Sequence, residues 1–73
     1  MANIRSVFSK NLKRLRTKKG LTQEQLAEKL GITVRYVQLL EGKQCPDVKL
    51  DTIAGIAKAV SAKPKEFLEI MPF

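Results

Sequence analysis

Residues 22–43, Thr-Gln-Glu-Gln-Leu-Ala-Glu-Lys-Leu-Gly-Ile-Thr-Val-Arg-Tyr-Val-Gln-Leu-Leu-Glu-Gly-Lys, constrain this chain more than any other stretch. They spell two short helices, over residues 23–30 and 34–41, each with an apolar stripe on one side and one glycine between them. Thr22 and Gln25 have the spacing of a capping box, in which the hydroxyl meets an orphan N–H and the amide reaches back. Thr33 stands where the second of the two helices needs its N-cap. Gly31 falls in the turn, where a positive φ comes at little cost only to glycine. Ala27 is small where two helices would approach closely, and Val37 and Leu40 point back at Leu26, Ala27, Leu30 and Ile32. Arg35, Gln38 and Leu39 are thereby turned outward.

The flanking sequence extends the helical reading. Val7, Phe8, Leu12 and Leu15 share one side of a helix over residues 4–19, with Gly20 as its left-handed stop. Gly42 closes the helix before it, and residues 43–49, with Cys45-Pro46-Asp47, read as a loop. Leu50, Ile53, Ile56, Ala57 and Val60 line a fourth helix. Pro64 suits the first turn of a fifth, over residues 64–71, with Phe67, Leu68 and Met71 as its buried face. Strand-like alternation, repeats and low-complexity tracts are absent from the sequence. The expected architecture is all-α: a compact five-helix bundle, with residues 1–73 forming one domain.

A domain of 73 residues buries only about 60% of the surface its unfolded chain exposes, so modest stability is expected. With one cysteine and no histidine, an internal disulfide is impossible and a metal site is not expected. The sequence holds no apolar run near the ~20 residues of a membrane span and no secretory h-region. The formal net charge of +7 is unevenly placed: residues 1–19 carry seven basic side chains (Arg5, Lys10, Lys13, Arg14, Arg16, Lys18, Lys19) and no acidic one, while the rest of the chain balances. Such a segment either attracts a polyanion or forms a solvated helix face.

Small residue, turn glycine and paired apolar positions at these spacings are those of a helix-turn-helix. More specifically, Leu21-Thr22-Gln23-Glu24, Leu26-Ala27, Leu30-Gly31-Ile32, Tyr36-Val37 and Leu40-Glu41-Gly42-Lys43 resemble the phage-repressor and Cro (XRE-type) helix-turn-helix family. Phe8, Leu12 and Leu15-Arg16 before them, and Leu50, Ile53, Ile56-Ala57, Val60 and Phe67-Leu68 after, extend the resemblance over nearly the whole chain. The loop after Gly42 is longer than in the commonest family form, with Pro46 standing early.

The resemblance implies a lambda-repressor-like bundle whose helices 2 and 3 form the motif over residues 23–42. The third helix then enters the major groove of double-stranded DNA. Arg35 would take O6 and N7 of a guanine, and Gln38 would read adenine or a phosphate. Leu39 either covers a thymine methyl or is an ordinary exposed leucine, and Val34 lies at the edge of the reading face. Gln23 matches the family's phosphate-clamping position, at a helix N-terminus where open N–H groups and the dipole attract anions. Thr22, Thr33, Lys43 and Gln44 would add backbone contacts, which position the protein without reading sequence. Tyr36 either packs at the domain edge or offers its hydroxyl to a phosphate. Glu41, an acid in the last turn of a helix, opposes the dipole and calls for a cation. The resemblance implies Arg16, in a partly buried architectural pair. Cys45 is a redox-active residue or an ordinary loop thiol.

The C-terminal cluster Phe67, Leu68, Ile70, Met71 and Phe73 is more apolar than chain ends usually are. Part of it is expected to close the core; Phe67, Ile70, Met71 and Phe73 are the candidate contacts of a homodimer. The leading functional expectation is a sequence-specific regulator of transcription, repressor or activator, bound as a homodimer to a palindromic operator. Short family members of this kind resemble Cro-like phage regulators and the controller proteins of restriction–modification systems. No cofactor is expected, RNA polymerase is a possible further partner, and the expected location is the cytoplasm, at the nucleoid. Within 73 residues no ligand-sensing domain is expected, so control would come from concentration, dimerisation or a partner. The alternative is an antitoxin or adaptor that binds protein. An enzyme is not expected: the sequence offers no histidine, metal-ligand set, phosphate-cradling glycine loop or nucleophile–base pair.

Overall fold

Local signals close the first helices where the sequence marks them. In the computed structural model, which describes residues 3–70, α1 (Ile4–Lys19) starts at Asn3, whose side chain accepts from the Arg5 N–H, and stops at Gly20 with φ of 82°. The Leu21 N–H then turns back to the Arg16 carbonyl at 3.1 Å, which satisfies an end carbonyl of the helix. α2 (Gln23–Leu30) opens with the full Thr22–Gln25 capping box and ends at Gly31 with φ of 68°. α3 (Val34–Leu40) starts at Thr33, whose hydroxyl accepts from the Tyr36 N–H at 3.1 Å. α4 (Leu50–Ala59) follows the loop.

The core joins Phe8, Leu12 and Leu15 of α1 to Leu26 and Ala27 of α2, Val37 and Leu40 of α3, and Ile53, Ile56 and Ala57 of α4, with Cys45, Val60 and Phe67 closing it. The expected all-α bundle is present, with a correction. Among the described residues there are four α-helices, and the fifth element is only a 3-10 turn, Pro64–Phe67. The tertiary contact that goes with this turn comes from Asn11 of α1. Its buried amide nitrogen donates to the carbonyls of Phe67 at 3.0 Å and of Glu69 at 2.9 Å, so the segment is fastened to α1 by its backbone.

Other expectations about the second half also change. Phe67 is 0% exposed, with its ring 5.8 Å from that of Phe8, so it belongs to the core and is not available as a dimer contact. Leu68, expected to be buried, is exposed because the turn ends at it. Leu50 is 79% exposed, since it starts α4 one turn away from the buried face of Ile53, Ile56 and Ala57. Met71 and Phe73 lie outside the described residues. Gly42 does not stop α3 by a left-handed turn: positive φ occurs at Gly20, Gly31 and Ser61. Instead a Cβ on Gly42 would approach the Gln38 carbonyl to 3.1 Å, so what Gly42 provides is a close approach.

Replacing Asn11 with Ala leaves the Phe67 and Glu69 carbonyls without their donor. The expected loss is about 1–3 kcal/mol, read as a lower urea midpoint at unchanged slope. A midpoint equal to that of the unaltered protein would show that the amide does not tie the C-terminal turn to α1.

Candidate nucleic-acid interface

A seven-residue helix is too short to persist alone, so the orientation of α3 is set by what it packs against. Val37 and Leu40 are fully buried, and Leu30, Ile32, Val34 and Tyr36 pack partly buried around the core. Arg35, Gln38 and Leu39 remain exposed, Leu39 to 42%. The outward face expected from helical projection is therefore present, with Val34 half-buried at its edge.

The C-terminal end of α3 is held by charge. Glu41, with its side chain 3% exposed, pairs with the Nε of Arg16 and accepts from the same guanidinium's Nη2 at 3.0 Å. Arg16 spends its Nη1 on the Leu21 carbonyl at 2.7 Å, at the entrance to α2. The Ser9 hydroxyl of α1 donates to the Gly42 carbonyl at 3.1 Å, a second tie from α1 to the same corner. The pair implied for Arg16 and Glu41 is formed. Two contacts were not expected from sequence. Ser9 is one, although a polar residue on the buried side of an apolar stripe signals a buried partner. The other is Gln23, whose Nε2 donates to Glu41 Oε1 at 3.1 Å. A side-chain amide has two donor hydrogens, so this contact orients Gln23 while leaving one N–H for another acceptor.

The remaining candidates differ in exposure. Thr22 is exposed, and its hydroxyl accepts from the Gln25 N–H at 3.0 Å, which leaves its own hydrogen to donate. Thr33 is exposed and Tyr36 half-buried, packed against the core. Lys43 and Gln44 are exposed just past α3, where they line a polar cleft with Asn3, Arg5, Ser6, Cys45 and Pro46. Lys10, Lys13, Arg14 and Lys18 form, with Thr17, a shallow basic face on α1, away from its buried Phe8, Leu12 and Leu15. Cys45 is buried and its thiol donates to the Pro46 carbonyl. Burial pushes the thiol pKa up, against a smaller downward pull from Arg5, so the group stays protonated at neutral pH. Among the described residues no cluster of His, Cys, Asp and Glu could hold a metal ion, and no helix is long and apolar enough to cross a membrane.

Two short helices, α2 and α3, joined through Gly31 and packed together by Leu26, Ala27, Val37 and Leu40, make a helix-turn-helix. The family model described as helix-turn-helix matches residues 12–60. The chain belongs to that family, of the phage-repressor and Cro type, whose members are DNA-binding transcriptional regulators. It is 32% identical over 68 residues to control protein C.BamHI of Bacillus amyloliquefaciens, covering 92% of this chain and 83% of that one. Among solved structures it is similar to the restriction–modification controller protein C.AhdI from Aeromonas hydrophila, with a TM-score of 0.77 and 36% identity over 86% of this chain and 94% of that one. The clp gene regulator ClgR from C. glutamicum superposes with a TM-score of 0.84 at 25% identity, over 92% of this chain and 85% of that one.

Two outcomes check this geometry. Glu41→Ala strands a buried guanidinium and is expected to cost about 3–5 kcal/mol by urea unfolding; a loss below about 1 kcal/mol would place the pair with ordinary surface bridges. Cys45 is expected to react with iodoacetamide far more slowly in the native protein than in urea. Equal rates would show an open, ionised thiol.

Proposed function

We propose that this regulator binds a palindromic DNA operator as a homodimer, reading bases with Arg35, Gln38 and Leu39, and with Val34 at the margin. The observation that carries this reading is the contrast along α3, where exposed Arg35, Gln38 and Leu39 alternate with fully buried Val37 and Leu40. Arg35 offers a guanidinium fork of the kind that takes guanine O6 and N7. Gln23, already oriented by Glu41, is assigned to a backbone phosphate, with Thr22, Thr33, Tyr36, Lys43 and Gln44. The reading makes the protein a controller or Cro-like switch that acts without a cofactor or catalysis, in the cytoplasm at the nucleoid. RNA polymerase is the partner through which an activating role would run.

The size of the reading head supports dimerisation. The described residues extend 33 Å at most and present one such helix, whereas half-sites on one DNA face lie about 34 Å apart. Exposed Ile4, Leu50 and Leu68 ring a small apolar groove floored by Phe8 and Ile53, and Ile70, 72% exposed, adds a further apolar side chain near the chain end. Apolar surface of this kind supports contact with a second copy, with Ile70 retained from the original set and Phe67 excluded.

Footprinting on the DNA upstream of the protein's own gene tests the reading. The expected pattern is two protected half-sites about one helical turn apart. Arg35→Ala is expected to relax discrimination at one base pair per half-site by about 1–3 kcal/mol. Equal affinity for palindromic and scrambled duplexes would overturn the reading and favour a protein-binding adaptor. Leu50→Lys, at a side chain that the fold leaves exposed, is expected to shift sedimentation toward the monomer without lowering the unfolding midpoint. An unchanged sedimentation coefficient would remove the groove from the interface.

A further inference from the structure

The first turn of α1 and the segment after α3 enclose a polar cleft of about 360 Å³, lined by Asn3, Arg5, Ser6, Lys43, Gln44, Cys45 and Pro46. Two cations from different elements face it, and its lining contains no carboxylate. Asp47 lines the adjacent apolar groove together with Arg5, yet no ion pair joins them; among the described residues the one ion pair is Arg16–Glu41. Arg5 reaches the Cys45 side of the cleft closely enough for its charge to be felt at the thiol. Its own position is electrostatically unfavourable. It sits in the first turn of a 16-residue helix with no acidic residue there, so a cation stands at the positive end of the dipole. The Asn3 side chain caps only the Arg5 N–H.

Every charged group in the cleft is thus positive, and its far wall is the segment that leaves the exposed helix α3. We propose that this cleft is a phosphodiester-binding site, in which Arg5 and Ser6 of α1 act with Lys43 and Gln44 to hold one DNA backbone phosphate beside the base-reading helix. The inference rests on the DNA-binding reading above and extends it. The N-terminal turn of α1 becomes a direct part of the interface, distinct from the Lys10, Lys13, Arg14 and Lys18 face. Arg5 supplies charge and two or more donors, the Ser6 hydroxyl supplies another, and Lys43 closes the opposite side. Contacts of this kind carry no base preference.

The test compares Arg5→Gln with Lys58→Gln, a control that removes the same charge from the exposed last turn of α4. Affinity for the duplex chosen by the unaltered protein is measured across salt concentrations. Arg5→Gln is expected to weaken binding to all duplexes alike and to flatten the slope of log affinity against log salt by about one per bound chain. Lys58→Gln is expected to change the slope by much less. Neutral methylphosphonate substitutions walked along the duplex are expected to reveal one phosphate per half-site whose neutralisation weakens the unaltered protein clearly more than Arg5→Gln, in which Lys43 remains. If both variants flatten the slope equally, or no such phosphate is found, the cleft proposal is overturned while the DNA reading stands. Inorganic phosphate that shifts the Arg5 and Ser6 amide resonances, with DNA binding indifferent to Arg5→Gln, would assign the cleft to a free anion and overturn it equally. If the unaltered protein prefers no duplex, the functional reading itself falls, and the cleft proposal with it.

Discussion

The carboxylate of Glu41 is the point on which the arrangement of three helices depends. It stands at the end of α3, where the dipole disfavours an acid, and draws in the guanidinium of Arg16 from α1 and the amide of Gln23 from α2. A helix of seven residues has no independent stability to spare, so its direction is whatever these contacts and the burial of Val37 and Leu40 impose. The same group therefore orients the exposed face of α3 and a side chain at the N-terminus of α2. A change at Glu41 is felt in both places at once.

The positive charge divides into two kinds. Of the seven basic residues in the first 19, Arg16 alone forms an ion pair within the fold among the described residues, and it is consumed by architecture. Lys10, Lys13, Arg14 and Lys18 surround the outer face of α1, while Arg5 leans toward the loop after α3. Among the described residues neither group has a carboxylate partner. The field of the domain thus stays open to an external polyanion rather than being neutralised internally.

Much of the first half was legible because its signals are local. Gly20 and Gly31 take the left-handed conformation that their positions suggest, and Thr22 and Thr33 cap through their own side chains. The core stripe, the outward set Arg35, Gln38 and Leu39, and the Arg16–Glu41 pair follow from spacing and family resemblance. The second half was harder to read because its determinants are tertiary. Asn11 bonds carbonyls 56 and 58 residues away and so fastens to α1 a segment that composition alone suggests is a helix. Leu50 and Leu68 look like core by pattern yet stand at element ends, beyond the reach of the residues that would cover them. At the interface, the partner of Gln23 was invisible because nothing in sequence says which of several donors an acid will collect. The position of Arg5 is tertiary in the same way: its charge is legible in sequence, and the loop it faces is not.

One consequence of the α3 surface concerns how such a protein can diversify. Among the described residues, Arg35, Gln38 and Leu39 take part in none of the side-chain hydrogen bonds or buried contacts that hold the domain together. Exchanges at exposed positions of this sort usually alter stability by no more than about 0.5 kcal/mol. On the proposed reading, the residues that choose a target are thus nearly decoupled from those that keep the chain folded. A lineage carrying this scaffold would then drift from one recognition sequence to another through substitutions almost silent to folding, each step testable by selection on binding alone.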